Sequence, residues 1–217
     1  MKINNLSFTS LMDYNKFIKQ VVFGNFIKNK FSIIVSGGRS VKSFINFLDN
    51  NKFEDNFNCD LFLSDEYVEN DIVLNTNVTP LKLLSKKLHF KSRFNYKSQH
   101  FLDVVNNYDN QLSKVDYFDS AILGVGEDGH ISSLFEKNFN KDSKSICNTL
   151  YVSNSPKKPK TRITISYNTL GKCKKIILLY LGKEKENVYN SKQNFFINHL
   201  KKINSELIIY RCLIKIY

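Results

Sequence analysis

Phe118-Asp119-Ser120-Ala121-Ile122-Leu123-Gly124-Val125-Gly126-Glu127-Asp128-Gly129-His130 is the stretch whose reading decides the fold. Its first half is a short, mostly apolar run of the kind that fills a buried strand, and it passes directly into a glycine-rich loop. Two other runs end in the same way. Residues 31–35 read as a buried strand that breaks at Ser36-Gly37-Gly38-Arg39-Ser40, after which Val41, Phe44, Ile45 and Leu48 recur at helical spacing. Residues 60–63 read as a strand ending at Ser64-Asp65-Glu66-Tyr67, and beyond a polar loop residues 79–88 have helical period with Pro80 in the first turn.

The remaining segments extend the pattern. A short helix is expected to begin over residues 131–135, strands over 162–166 and 175–181, and one helix over 184–201. The Ile-, Leu- and Tyr-rich tail, 207–217, is expected to close the sheet. Alternating strands and helices of this kind predict an α/β, Rossmann-like fold with a mostly parallel sheet flanked by helices. Apolar residues spread over the whole length predict a single domain spanning residues 1–217.

Composition limits the function classes. The formal charge of +12 invites a nucleic-acid reading, but the lysines are scattered, with one short cluster at Lys157, Lys158 and Lys160 and no basic stripe interleaved with aromatics. No nucleic-acid partner is expected, and the positive field instead suits collection of a small anion. Residues 1–10 lack a basic leader and a long apolar segment, and no apolar run approaches membrane-spanning length, so a cytoplasmic protein with no membrane partner is expected. Cys59, Cys147, Cys173 and Cys212 lack metal-site or redox spacing, and reduced, mostly buried thiols are expected.

In open parallel sheets ligands gather beyond the carboxyl ends of the strands, so the three loops are expected to meet in one crevice. Ser36, Gly37, Gly38, Arg39 and Ser40 combine close backbone approach with a helix N-terminus that favours an anion, or make a plain tight turn. Gly124, Gly126 and Gly129 match G-x-G-x-x-G, yet the match comes late in the chain, and Glu127 and Asp128 would put negative charge where a pyrophosphate should lie. A dinucleotide is therefore not expected. His130 can act as an acid or base near neutral pH with an adjacent carboxylate to orient it, or as a capping or core histidine. His89, His100 and His199 lie in polar or helical contexts and are expected to be solvated or structural. Asp65 and Glu66 either reach the crevice rim or cap a loop. Arg162 opens a strand and Lys183 and Lys185 follow one, where each either reaches a phosphate or is solvated.

Ser36-Gly37-Gly38, Ser64-Asp65-Glu66, residues 124–130 with Ser133-Leu134-Phe135, and Arg162-Ile163-Thr164 occur in that order. Together they resemble the 6-phosphogluconolactonase family and its glucosamine-6-phosphate isomerase relatives, from about residue 36 to residue 185. Glu127 before Asp-Gly-His, Ser-Leu-Phe after it, and Arg162 before Ile-Thr are similar to the lactonases. The isomerases carry a glutamate five residues after the histidine, where this chain has Phe135, and Glu136 is one position off. Asp65-Glu66-Tyr67 departs the other way, because lactonases usually carry Asp-Glu-Arg there. Arg39 is expected to supply that charge.

The resemblance implies hydrolysis of 6-phosphogluconolactone to 6-phosphogluconate in the oxidative pentose phosphate pathway, without cofactor or metal, by a monomer or small homo-oligomer. It implies His130 as general base, oriented by Asp128 or Asp65, and a phosphate held by Gly37, Gly38, Arg39, Arg162 and Lys185. Donors from the glycine-rich loops would stabilise the oxyanion. The alternatives are a glucosamine-6-phosphate isomerase/deaminase that uses Asp65 as a proton shuttle, and a non-catalytic sugar-phosphate-binding protein.

Overall fold

The computed structural model describes residues 1–24, 30–50, 57–84, 90–94, 100–191 and 194–215, apart from the side chains of Ser40, Ser43 and Asn50. In chain order the strands are β1 (Lys2–Phe8), β2 (Lys30–Val35), β3 (Asn58–Leu63), β4 (Asp65–Glu69), β5 (Ile72–Val73), β6 (Phe90–Ser92), β7 (Ser120–Gly124), β8 (Thr149–Val152), β9 (Thr161–Ile165), β10 (Lys175–Leu181) and β11 (Ile208–Ile214). The α-helices are α1 (Leu11–Ile18), α2 (Arg39–Asn50), α3 (Val78–Leu84), α4 (Phe101–Ser113), α5 (Phe139–Asp142), α6 (Tyr167–Gly171), α7 (Glu186–Ser191) and α8 (Ile197–Ile203).

Seven strands form a parallel sheet in the order β1-β11-β10-β7-β2-β3-β6. Its central strands are apolar along nearly their whole length. Ala121, Ile122 and Leu123 of β7 and Ile176 to Tyr180 of β10 are fully buried, as expected of strands covered on both faces. From β2 the chain steps to β3 on one side, and after β6 it returns to the other side of β2 as β7. The direction of winding thus reverses between β2 and β7, the position at which such sheets open a crevice.

A second, antiparallel sheet in the order β5-β4-β9-β8 stands beside the first. The chain crosses between them at Ser64, whose N–H donates to Val35 O (2.9 Å) while its carbonyl accepts from Ile165 N (2.8 Å). Asp65, the next residue, opens β4 opposite Thr164.

Several expectations need correction. Residues 131–135 form no helix. Ile131 bridges Val125 and Leu134, with Leu134 N donating to Ile131 O (2.9 Å) and Ser132 at φ 52°, so the chain turns tightly before a 3-10 turn at Glu136–Asn138. The single helix over 184–201 is broken into a 3-10 turn (Lys183–Lys185), α7 and α8. Asn194 leaves the helical path to hydrogen-bond the Tyr180 hydroxyl (2.9 Å), and the consecutive aromatics Phe195 and Phe196 pack against the core just before α8 begins.

The tail strand β11 lies between β1 and β10 and does not close the sheet. The edge is β1, whose alternating polar residues the sequence reading did not assign. The strand at 162–166 belongs to the antiparallel sheet as β9, and Ser166 caps α6 by accepting from Thr169 N (3.2 Å). His89, residues 85–88 of the helix expected over 79–88, and residues 216–217 of the tail lie outside the described residues. Cys59, Cys173 and Cys212 are buried free thiols, and Cys147 is free and exposed. Among the described residues no helix is long and apolar enough to cross a membrane.

Glu66 fixes the crevice wall. Its fully buried carboxylate accepts from the backbone N–H groups of Tyr67 (2.9 Å), Asn77 (2.8 Å) and Val78 (2.9 Å), capping α3 from a strand. Burial pushes its carboxyl above the usual range, and these three donors work against that shift. Glu66→Ala leaves the three donors without a partner, and urea unfolding is expected to show a loss of about 3 kcal/mol.

Candidate active site

The loops after β2, β3, β7 and β10 converge on a small cavity of about 170 Å³. Its wall includes Ser36, Gly37, Gly38 and Arg39 from the first loop, and Asp65 and Tyr67 from the sheet junction. Gly124, Val125, Gly126, His130 and Ser132 come from the histidine loop, and Asn77, Arg162 and Lys185 complete the wall. A neighbouring hollow of about 510 Å³ between α2 and α3 shares Ser36, Gly37, Gly38 and Asn77 with it.

The histidine loop is held shut by its own backbone. Gly126 N donates to His130 O (2.8 Å), Gly129 N to Gly126 O (3.0 Å) and Val125 N to Leu179 O (3.0 Å), with Gly129 at φ 81°. Gly124 N donates to Ser36 Oγ (2.9 Å), so the hydroxyl of Ser36 clasps the first loop to the histidine loop. These bonds turn the His130 imidazole onto Asp128, with Nδ1 against Oδ1. Nε2 is then the ring nitrogen left for other partners.

Partial burial pushes the Asp128 carboxyl up. The hydrogen bond to His130, the charge of His130 and Lys157 at 3.4 Å outweigh burial and hold it well below the usual carboxylate range. Gly126 is required here, since a Cβ at that position would fall 2.1 Å from His130 Nδ1 and 2.6 Å from Asp128 Oδ1.

Asp65 does not touch His130 in this network. Its oxygens accept from Ser64 Oγ and Ser133 Oγ, both at 2.8 Å, and it is almost fully buried. Arg162 is also buried. It donates to the carbonyls of Pro159 (3.0 Å), Lys158 (3.1 Å) and Lys157 (3.3 Å) and lies over the Tyr67 ring at 4.7 Å. Its charge faces the cavity wall while most of its donors are engaged.

Arg39, at the first turn of α2, is exposed and pairs with Glu184 at 3.3 Å. Burial lowers the Lys185 ammonium below its ordinary range. Glu184 and Glu127 raise it, and the positive charges of Arg39 and Lys157 lower it further. Glu127 is exposed, and the side chain of Ser40 lies outside the described residues. Among the described residues no group of three His, Cys, Asp or Glu side chains could hold a metal ion. His100 sits exposed before α4, and His199 packs between Phe139 and Tyr167.

Asn77 and Ser132 were not singled out from the sequence, and Lys157 was named only as part of a short lysine cluster. Asn77 packs so closely on Gly37 that a Cβ there would fall 2.0 Å from its Oδ1, and its Nδ2 donates to Asp65 O (3.0 Å). A polar residue before the Thr79-Pro80 helix start is its only trace in the sequence, and that trace reads as a cap.

A family model described as glucosamine-6-phosphate isomerases/6-phosphogluconolactonase matches residues 15–196. The chain belongs to that family. A 6-phosphogluconolactonase of Borreliella burgdorferi is 32% identical over 179 residues, 75% of this chain and 73% of that protein. One from Thermotoga maritima is 29% identical over 169 residues, 74% of this chain and 73% of that protein. A crystal structure of 6-phosphogluconolactonase from Thermotoga maritima superposes with TM-score 0.74 at 21% identity, covering 98% of this chain and 100% of that one.

The family's description spans two activities, so membership alone does not choose between them. Phe135, at the position where the isomerases carry glutamate, is buried with its ring 4.6 Å from the imidazole of His130. Glu136 is exposed and lines another hollow, which also borders Asp128, Gly129, Asn194 and Arg211. No carboxylate therefore occupies the isomerase position beside this histidine.

Gly126→Ala is expected to separate His130 from Asp128 without unfolding the sheet. Imidazole nitrogen NMR checks this: the hydrogen-bonded Nδ1 signal should vanish while amide shifts outside residues 124–133 stay in place.

Proposed function

We propose that this chain hydrolyses 6-phosphogluconolactone to 6-phosphogluconate, with His130 as general base. The observation that carries the reading is an imidazole fixed by Asp128 on one nitrogen and packed against apolar Phe135, at a cavity rimmed by cations. Its relatives named 6-phosphogluconolactonase support the same reaction.

In this mechanism Nε2 of His130 takes a proton from water as the water oxygen attacks the lactone carbonyl. The C=O π pair moves to oxygen, giving a tetrahedral oxyanion. Collapse breaks the bond to the ring oxygen, which receives the proton back from Nε2. Asp128 accepts from Nδ1–H throughout and stabilises the imidazolium without taking its proton.

The phosphate would lie against the N–H groups at the start of α2, with Arg39 and Lys185 at hand. Arg162 contributes field more than direct bonds, because most of its donors already serve carbonyls. Asp65 acts as a structural anchor for the turn after His130.

Two measurements test the reading. His130→Ala is expected to slow hydrolysis of freshly generated lactone by roughly 10²–10⁴-fold with unfolding unchanged; near-normal turnover removes His130 from the mechanism. Release of ammonia from glucosamine 6-phosphate would instead support the isomerase/deaminase reading, for which Asp65-Glu66-Tyr67 is the favouring feature.

The Lys185 ammonium, lowered by burial and neighbouring cations, is charged below its depressed pKa and neutral above it. Affinity for 6-phosphogluconate should therefore weaken as pH rises, at values below the ordinary lysine range. Calorimetry across pH checks this, and Lys185→Gln should flatten the dependence.

A further inference from the structure

The histidine loop has spent its glycine-region donors. The N–H groups of Gly124, Val125, Gly126 and Gly129 already serve Ser36 Oγ, Leu179 O, His130 O and Gly126 O. The oxyanion expected in lactone hydrolysis needs a donor from elsewhere on this wall.

Ser132 stands two residues beyond His130 on the same wall. It is one of the few non-glycine residues with positive φ, at 52°, a conformation that costs energy for a residue with a Cβ. It is also 6% exposed, and its Oγ is buried with no hydrogen-bond partner among the described residues. A buried hydroxyl with no partner is costly in a folded protein. The strained backbone and the unpartnered hydroxyl coincide at one residue, and the open space that residue borders is the cavity.

Resting on the hydrolase reading above, we infer that Ser132 is a catalytic residue whose hydroxyl donates to the lactone carbonyl oxygen as it becomes an oxyanion. Rotation about the single χ1 bond turns Oγ–H from its unpartnered resting position toward the bound carbonyl. The tight turn between Ile131 and Leu134 holds it there. Ser133, the next residue, is fixed to Asp65 and Thr164, so the turn cannot drift when substrate enters. Nε2 of His130 and Oγ of Ser132 then address the same carbonyl, one delivering water and the other taking up charge.

The test uses Ser132→Ala and Ser132→Gly beside the unmodified chain, with freshly generated 6-phosphogluconolactone against spontaneous hydrolysis. Both variants are expected to lose roughly 10–100-fold in kcat with KM changed less than about threefold. Neither should unfold at lower temperature, because the hydroxyl removed had no partner, and the glycine variant should unfold at a higher temperature because it also relieves the positive φ.

Full kcat in either variant overturns the assignment. So does a fall of several degrees in the unfolding temperature of Ser132→Ala, which would mean that the hydroxyl serves the fold. No acceleration by the unmodified chain overturns the hydrolase reading, and this inference with it. Acceleration by the unmodified chain with undiminished variants overturns the Ser132 role alone.

Discussion

A buried carboxylate organises this molecule. Asp65 sits where the chain leaves the parallel sheet for the antiparallel one, and its two oxygens accept from the hydroxyls of Ser64 and Ser133. Taking a charge out of water is unfavourable unless hydrogen bonds replace the water, so both hydroxyls are constrained. Ser133 N is in turn held by Thr164 Oγ1 (3.2 Å), which itself donates to Ser64 O (3.3 Å). The end of β3, the start of β4, strand β9 and the turn after His130 are thereby tied at one point.

Arg162 answers that charge indirectly. Its Nη1 donates to Ser133 Oγ at 3.4 Å, and the same hydroxyl donates to Asp65. The guanidinium is stacked over Tyr67 and lies 5.6 Å from the centre of the Phe135 ring, which packs on the imidazole of His130. Tyr67 and Arg162 are register partners across β4 and β9, and the tyrosine offers its ring face to the guanidinium. Positive charge at the crevice thus comes from Arg162 as a fixed field and from Arg39 and Lys185 at the rim.

Much of the parallel sheet was legible, because β2, β3, β7 and β10 are short apolar runs and each ends in an unusual polar or glycine-bearing loop. The edge strand β1 was not, since Lys2, Asn4, Asn5 and Ser7 give it the look of a loop; only pairing with β11 makes it a strand. The antiparallel sheet escaped because β4, β5 and β8 are only five, two and four residues long, and β9 was read simply as a further strand. Residues 131–135 looked helical by composition, but the bridges of Ile131 to Val125 and Leu134 bend them into a turn. Asn77 and Ser132 left no distinctive trace, because one matters through contact with Gly37 and the other through its φ and its lack of a partner.

By itself the sequence determined the fold class, the crevice loops and the histidine with its neighbouring acids, because these follow from apolar periodicity, glycine spacing and side-chain chemistry, which are local properties. Only the tertiary structure decided which acid meets His130. Asp128 reaches it within the loop, whereas Asp65 is drawn away by Ser64 and Ser133. It also decided that Arg162 is largely committed to carbonyls and that Glu66 caps a helix. These depend on partners brought together from distant positions, and a buried charge or hydroxyl takes its role from whichever partner replaces the water it has lost.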